Sequence, residues 1–272
     1  MSDRIPPAPF ASRRRVLVLS AVVLAVVALG KGAAWVLDQS AKELRFTPVD
    51  DPPGFRRLSL VGATSTGRDP FAGLEGASPS GPTPNVASDG LQLCQALFGR
   101  SGFDPGVVPI AFFSDYNCPY CEVVSETISK IEAEAKGAVQ VKWHEWPLLG
   151  AASGVSARAA LAAARQGAYA RFHRRLLRTS FEPTPAYLRE LALSEGIDPD
   201  RLIAEMDGEE ISREIEVTRA LVRRLAFPGT PALVVGRTIV VGAIRETTLR
   251  SLIAQERADG PPQACASTSF GQ

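Results

Sequence analysis

In a chain of 272 residues, 30 lysines and arginines nearly balance 29 aspartates and glutamates, so no basic excess points to nucleic acid. The length exceeds one average domain, and the hydrophobic fraction of 45% suffices for a sizeable core, with 23 glycines and 21 prolines left to break the chain elsewhere. Arg13-Arg14-Arg15 opens the patterned sequence and is succeeded by an apolar run, Val16 to Leu29, then Gly30-Lys31-Gly32 and Ala33 to Leu37. The first run suits the core of a signal peptide, whereas crossing a bilayer takes roughly 20 residues. Counted through Leu37 the segment is long enough to span, with Lys31 able to snorkel. Residues 1–15 are therefore expected to be a short basic cytoplasmic end, and residues 16–37 a single transmembrane signal-anchor. Cleavage at Gly32-Ala33-Ala34, leaving a soluble periplasmic protein, is the alternative. A buried soluble helix fits less well, and Ser12 to Leu17 touches the twin-arginine export pattern only loosely. The arginines hold the N-terminus in the cytoplasm and place the chain beyond residue 38 outside it.

Residues 38–88 are broken by Pro48, by Asp51-Pro52-Pro53-Gly54 and by Ser78-Pro79-Ser80-Gly81-Pro82-Thr83-Pro84, and read as a stalk or linker. Within it Phe55 to Val61 and Asp69-Pro70-Phe71 have strand or turn character. Residues 89–106 form a pre-domain segment in which Leu91, Cys94 and Phe98 recur at helical spacing before Gly99. The compact domain, 107–257, begins with a nearly all-apolar strand, Val107 to Phe113, of the kind buried on both faces. Glu122 to Lys136 carries a helical stripe (Val124, Ile128, Ile131, Ala135) stopped by Gly137, and Val139 to Trp143 alternates as a strand. A helical insertion, 147–227, includes Ser156 to Gln166, Tyr169 to Arg178 and a last helix marked by Ile211, Ile215, Thr218, Val222 and Leu225. Ala232–Val235 and Thr238–Val241 flank Gly236-Arg237 as a hairpin, a helix runs from Glu246 to about Gln255, and residues 258–272 are a tail.

The chemistry concentrates in Phe112-Phe113-Ser114-Asp115-Tyr116-Asn117-Cys118-Pro119-Tyr120-Cys121, where two thiols two residues apart open a helix. A helix N-terminus offers free N–H groups and partial positive charge, which favour a thiolate at Cys118. A low-pKa, accessible thiolate beside a resolving cysteine is what thiol–disulfide exchange requires. With Gly229-Thr230-Pro231 just before the hairpin, the order β-α-β, helical insertion, β-β-α resembles the DsbA-like family of periplasmic thiol–disulfide oxidoreductases. The implied fold is α/β and thioredoxin-like, with an inserted helical subdomain. The resemblance covers about Val107 to Arg257. It implies that Cys118 is the nucleophile, Cys121 the buried resolving thiol, Pro119 and Tyr120 the intervening motif, and Pro231 a cis-proline. Thr230 would then offer its backbone to an extended substrate, as in β-augmentation. Two positions depart from the family pattern: Ala111 replaces an acidic residue that assists proton transfer, and Tyr120 replaces the histidine of strongly oxidising members.

The same residues admit other readings. Cys118 and Cys121 lack partners for a four-ligand zinc site, since His144 adjoins a strand and His173 lies in a distant helix, so no metal site is expected. Both histidines read as packed residues, as do Trp143, Trp146 and Tyr169, although these three also suit the rim of a peptide groove. Arg171, Arg174, Arg175 and Arg178 read as a solvated helix face. Cys94 and Cys265 fall outside the resemblance and are expected to pair as a structural disulfide in an oxidising compartment, with two free thiols or an intermolecular bridge as the alternatives. The leading expectation is an inner-membrane-tethered, periplasm-facing thiol–disulfide oxidoreductase acting on exported proteins, without a bound cofactor and with a membrane or periplasmic redox partner of DsbB or DsbD type. An isomerase or reductase of the same fold is the near alternative, and a thiol-based copper chaperone or envelope assembly factor the alternative of another class.

Overall fold

The structure, a computed structural model, describes residues 44–66, 90–99, 106–179, 182–262 and 265. The expected basic end (1–15) and span (16–37) lie outside them, as do Asp69-Pro70-Phe71 and most of the tail. Among the described residues no helix is long and apolar enough to cross a membrane. Six strands form one sheet: β1 (Phe46–Pro48), β2 (Arg56–Val61), β3 (Val108–Ser114), β4 (Val139–Glu145), β5 (Ala232–Val235) and β6 (Thr238–Val241), in the spatial order β1-β2-β6-β5-β3-β4. β3 runs parallel to β4 and antiparallel to β5, which turns through Gly236-Arg237 into β6. The helices are α1 (Gly90–Phe98), α2 (Cys121–Glu134), α3 (Ala151–Arg165), α4 (Tyr169–Leu177), α5 (Pro185–Ser194), α6 (Pro199–Glu205), α7 (Glu209–Arg224) and α8 (Glu246–Asp259).

Successive side chains of a strand face opposite ways, so β3 feeds two cores. Ile110 and Phe112 pack with Val124, Ile128 and Ile131 of α2 and Leu249 and Leu252 of α8. Ala111 and Phe113 pack on the other face with Leu93 and Leu97 of α1 and Leu221 and Val222 of α7. Because both faces are covered, β3 has no polar position before Ser114, which is why it reads as a continuous apolar run. A third core fills the insertion, where Ala159, Ala160, Ala162 and Ala163 let α3 lie close to Phe172, Leu176, Leu188 and Leu191. α7 joins the cores, giving Ile211 and Ile215 to the insertion and Leu221 and Val222 to the sheet.

The stalk expected over residues 38–88 is corrected between 44 and 66, where the strand character of Phe55 to Val61 is borne out by β2. Residues 56–61 extend the sheet parallel to β6, and residues 46–48 pair antiparallel with them. A buried carboxylate fixes this edge: Glu256 of α8, 3% exposed, accepts from Arg56, from the Arg237 backbone N–H at 2.7 Å and from Thr238 Oγ1 at 2.6 Å. The prolines and glycine that suggested an open linker instead make the turn between the two strands, with Gly54 at φ 83°. The helical spacing of the pre-domain segment is realised in α1, with Leu93 and Leu97 joining Cys94 and Phe98 on its buried face.

Cys94 and Cys265 are joined in a disulfide with a Cα–Cα distance of 5.6 Å across a separation of 171 residues, both buried in the α1–α7 core. The bond ties α1 to the chain beyond α8. Closing so long a loop restricts the unfolded chain, and a native bridge of this kind contributes about 2–4 kcal/mol. A Cys94→Ala/Cys265→Ala protein should therefore lose that margin of unfolding free energy in urea titrations, with Cys118 and Cys121 kept reduced in both proteins.

Candidate active site

β3 ends at Ser114, and the five residues after it carry the chain over the sheet edge to Cys118 and Pro119. Asp115 holds this turn. Its carboxylate, 1% exposed, accepts from the Asn117 N–H at 2.7 Å, the Leu148 and Leu149 N–H groups at 2.6 and 2.8 Å, and Ser153 Oγ at 2.6 Å. The bond to Asn117 is an Asx turn, and the other three pin the start of the insertion to the cysteine loop. Four donors satisfy a buried carboxylate that would otherwise be costly. Sequence reasoning passed over Asp115, although an aspartate two residues before a turn amide was a readable signal.

α2 begins at Cys121 with Tyr120 as its N-cap, so Cys118 lies in the turn ahead of the helix rather than on its first turn. The Cys118 N–H donates to Asp115 O and the Cys121 N–H to Cys118 O, both at 3.1 Å. Both cysteines are free thiols and both face the insertion core. Cys118 is 3% exposed and Cys121 fully buried, so the nucleophile expected to be open is covered. Thr230 lies across from them. As a thiol, Cys118 donates to Thr230 O at 3.4 Å, while the Thr230 hydroxyl is buried without a hydrogen-bond partner. The Thr230–Pro231 peptide bond is cis.

The sulfurs differ sharply in acidity. A hydrogen bond from Cys121 lowers the Cys118 pKa to about 6; burial opposes this, and Thr230, the Tyr120 backbone and Ser65 add to it. Burial drives Cys121 far upward, reinforced by its hydrogen bond to Cys118 and by that thiolate's charge. One sulfur is thus a thiolate at neutral pH and its neighbour holds a proton, the division of labour that exchange needs.

A second polar cluster lies behind the cysteine loop. Tyr116 and Tyr169 donate to Glu145 Oε1 at 2.7 and 2.5 Å, His173 Nδ1 lies 2.7 Å from Tyr116 Oη, and His173 Nε2 lies 3.1 Å from Ser125 Oγ. The cluster links the cysteine loop, β4, α4 and α2, and it defines His173 and Tyr169 as packing residues. Burial, then the Glu145 charge, holds both phenols well above their ordinary pKa, so they stay protonated donors. His144 stacks on Phe113 at 4.5 Å and bonds Leu97 O at 2.8 Å; burial lowers its pKa to about 4, leaving it neutral. Trp146 is buried in the sheet core, and Trp143, half-buried, packs edge-on against Phe112. Arg171, Arg175 and Arg178 pair with Glu195, Glu126 and Glu122 at the surface, as the solvated-face reading required. Ala111 is sealed in the α1–α7 core. Among the described residues no group of three His, Cys, Asp or Glu side chains is arranged to hold a metal ion.

The DSBA-like thioredoxin domain family matches residues 109–254. Among solved structures the chain is similar to a thioredoxin-like oxidoreductase from Silicibacter pomeroyi, at 32% identity and TM-score 0.55 over 60% of this chain and 97% of that one. It is also similar to the thiol-disulfide exchange protein alpha-DsbA2 from Wolbachia pipientis, at 27% identity and TM-score 0.55 over 60% and 91%. A periplasmic thioredoxin-like protein from Salmonella enterica serovar Typhimurium matches at 25% identity and TM-score 0.53 over 61% and 96%. No curated protein matches the chain.

The acidity of Cys118 has a measurable consequence for stability. Its folded pKa is below the ordinary value of 9.0, so it stabilises the reduced protein fully above the unfolded pKa and loses that contribution as pH falls through about 6. The disulfide form has no such group. The urea midpoint of the reduced protein, relative to the oxidised one, should rise between pH 6 and pH 8. Iodoacetamide should alkylate Cys118 with a half-maximal rate near pH 6 and leave Cys121 unmodified.

Proposed function

Because the chain belongs to the DSBA-like thioredoxin-domain family and is a thiol–disulfide oxidoreductase, we propose that Cys118 and Cys121 are its redox pair and that exported proteins are its substrates. The observation that carries this reading is the meeting of two free thiols, one turn apart, with Thr230 across from them, a geometry that makes Cys118 acidic and keeps Cys121 protonated. In the oxidising direction a substrate thiolate attacks the Cys118 sulfur of the Cys118–Cys121 disulfide. Cys121 leaves with the electron pair and takes up a proton, which its raised pKa favours. A second substrate thiolate then attacks its partner sulfur in the mixed disulfide, and Cys118 departs as a stable thiolate. Two electrons pass to the enzyme and one disulfide forms in the substrate. A low leaving-group pKa speeds the last step and stabilises the reduced enzyme, so the geometry favours oxidation of substrates.

The domain is proposed to act on the periplasmic side of the inner membrane, carried by the arginine-flanked segment 16–37, with residues 38–43 between that segment and the sheet. The periplasmic protein from Salmonella supports that compartment. A membrane partner of DsbB type would reoxidise the pair, whereas one of DsbD type would serve an isomerase or reductase. Protease added to spheroplasts should digest or release the folded domain if the orientation is right; full protection would reverse it.

Cys121→Ala should accumulate mixed disulfides with substrate proteins on non-reducing gels, and Cys118→Ala none. The poise depends on the residue between the sulfurs. Tyr120, 40% exposed, brings no positive charge to the Cys118 thiolate where strongly oxidising relatives bring a histidine. Reference potentials are about −120 mV for DsbA itself and about −200 to −230 mV for glutaredoxins, so a value of about −150 to −230 mV is expected by equilibration with glutathione. A potential near −120 mV would mean that the dipeptide does not set the poise, and Tyr120→His would then change little.

A further inference from the structure

Thr230, whose backbone is expected to pair with an extended substrate, already has a partner. Ser65 N–H donates to Thr230 O at 2.7 Å and Thr230 N–H donates to Ser65 O at 2.9 Å, an antiparallel two-bond bridge. The approach is close enough that a Cβ on Gly229 would fall 2.2 Å from Ser65 O and 3.1 Å from Thr66 Cγ2. Beside this bridge Cys118 is almost wholly covered, and the Ser65 hydroxyl is the smallest of the influences that lower its pKa. Serine is the oxygen isostere of cysteine, so the chain sets a cysteine-like side chain against its own nucleophile.

The same segment is lightly held. Residues 62–66 are half-buried or exposed and contribute no side chain to any core cluster. Apart from the bridge they are fastened by the Gly62 N–H to Val241 O at 2.9 Å and the Ala243 N–H to Ala63 O at 3.0 Å. Few apolar contacts and a short series of backbone bonds mark a segment that opens locally. An extended peptide offering the same two bonds to Thr230 would replace them one for one.

We propose that Gly62–Thr66 is an intramolecular strand seated on the peptide-binding edge at Thr230, and that a protein substrate reaches Cys118 by displacing it. The proposal rests on Cys118 being the exchanging thiol. The partner it fits is an extended, locally unfolded segment that runs antiparallel to Thr230 and brings its own cysteine to the place of Ser65. Folded proteins that cannot offer such a segment are excluded.

Two substitutions loosen the strand by different means. Ser65→Pro removes the N–H that bonds Thr230 O, and Gly62→Ala puts a Cβ 1.9 Å from Ala243 O, well before Ser65 in the chain. The probe is an unfolded peptide whose single cysteine is joined in a disulfide to 2-nitro-5-thiobenzoate. The Cys118 thiolate attacks the peptide sulfur, the Cys118–peptide bond forms, and nitrothiobenzoate leaves with the electron pair as a coloured thiolate. At pH 8, above the Cys118 pKa, both variants should react at least about fivefold faster than the parent, the weight of one lost backbone hydrogen bond. Unchanged rates in variants with intact circular dichroism would overturn the proposal. Should either variant fail to fold, hydrogen exchange on the Cys121→Ala protein decides. On forming the peptide mixed disulfide, residues 62–66 should lose protection while β5 and β6 keep theirs; retained protection at 62–66 refutes displacement. If no protein discharges the probe although iodoacetamide alkylates Cys118, the oxidoreductase role of that thiol fails instead.

Discussion

The antiparallel pairing of β3 with β5 sets the position of everything chemical in this molecule. Its register places Phe113 opposite Ala232, so the chain leaving β3 and the chain entering β5 meet at one sheet edge. Cys118 and Thr230, 112 residues apart in sequence, become neighbours there through backbone geometry alone. The pairing is secured by burial on both faces, since Ile110 and Phe112 answer to one helical layer and Ala111 and Phe113 to the other. A polar residue within β3 would face one core or the other, and the site could not be moved without undoing both.

The insertion does more than enlarge the domain. Its alanine-rich α3 and the aromatic Phe172 give both cysteines an apolar wall, and that wall raises Cys121 while hydrogen bonds hold Cys118 down. Desolvation acts on both sulfurs; what separates them is which one receives donors. Asp115 links the cysteine loop to the insertion through three of its four hydrogen bonds, so the wall and the reactive turn are positioned by one carboxylate. Glu145 with its two tyrosines and His173 braces the same turn from behind. The polar groups around the cysteines therefore fix geometry, and the acidity difference is a result of it.

Much of this was legible because periodicity and punctuation report directly on burial and turns. The apolar run of β3, the stripe of α2, the Gly236-Arg237 hairpin and the order of the cysteine and Thr-Pro motifs all emerge at their expected places. Helices α5 and α6 were not delimited within the expected helical insertion, although Thr184-Pro185 and Asp198-Pro199 are cap-and-proline starts. The strand character of Phe55 to Val61 emerged as β2, but residues 44–66 read as linker for a reason that lies outside them. Their prolines and glycine describe the local chain, whereas their place in the sheet depends on β6 and on Glu256, about 200 residues away. The Glu145 cluster was illegible for the same cause, since no local pattern predicts that Tyr116, Tyr169, His173 and Ser125 converge on one another.

Strand β2 and the segment after it show how one stretch of chain serves two mechanical ends. Arg56, tied to Glu256 and through its Nε to Thr238 Oγ1 at 2.8 Å, locks the beginning of β2 to the sheet and to α8. The pair is costly to break from the Arg56 side, since the fully buried Glu256 would lose its closest cationic partner, whereas Arg56 also reaches Asp259 at 2.8 Å. Beyond β2 no such anchor exists among the described residues, and residues 62–66 are held by backbone bonds to Val241, Ala243 and Thr230. Opening can therefore propagate from the Thr230 end without disturbing the strand that carries the segment. The glycines make this close fit attainable: side chains at Gly62, Gly229 or Gly242 would collide with the opposing backbone at about 2 Å. A firmly anchored strand delivers a loosely bound segment to the nucleophile, and that contrast in binding strength separates a permanent wall from a removable cover.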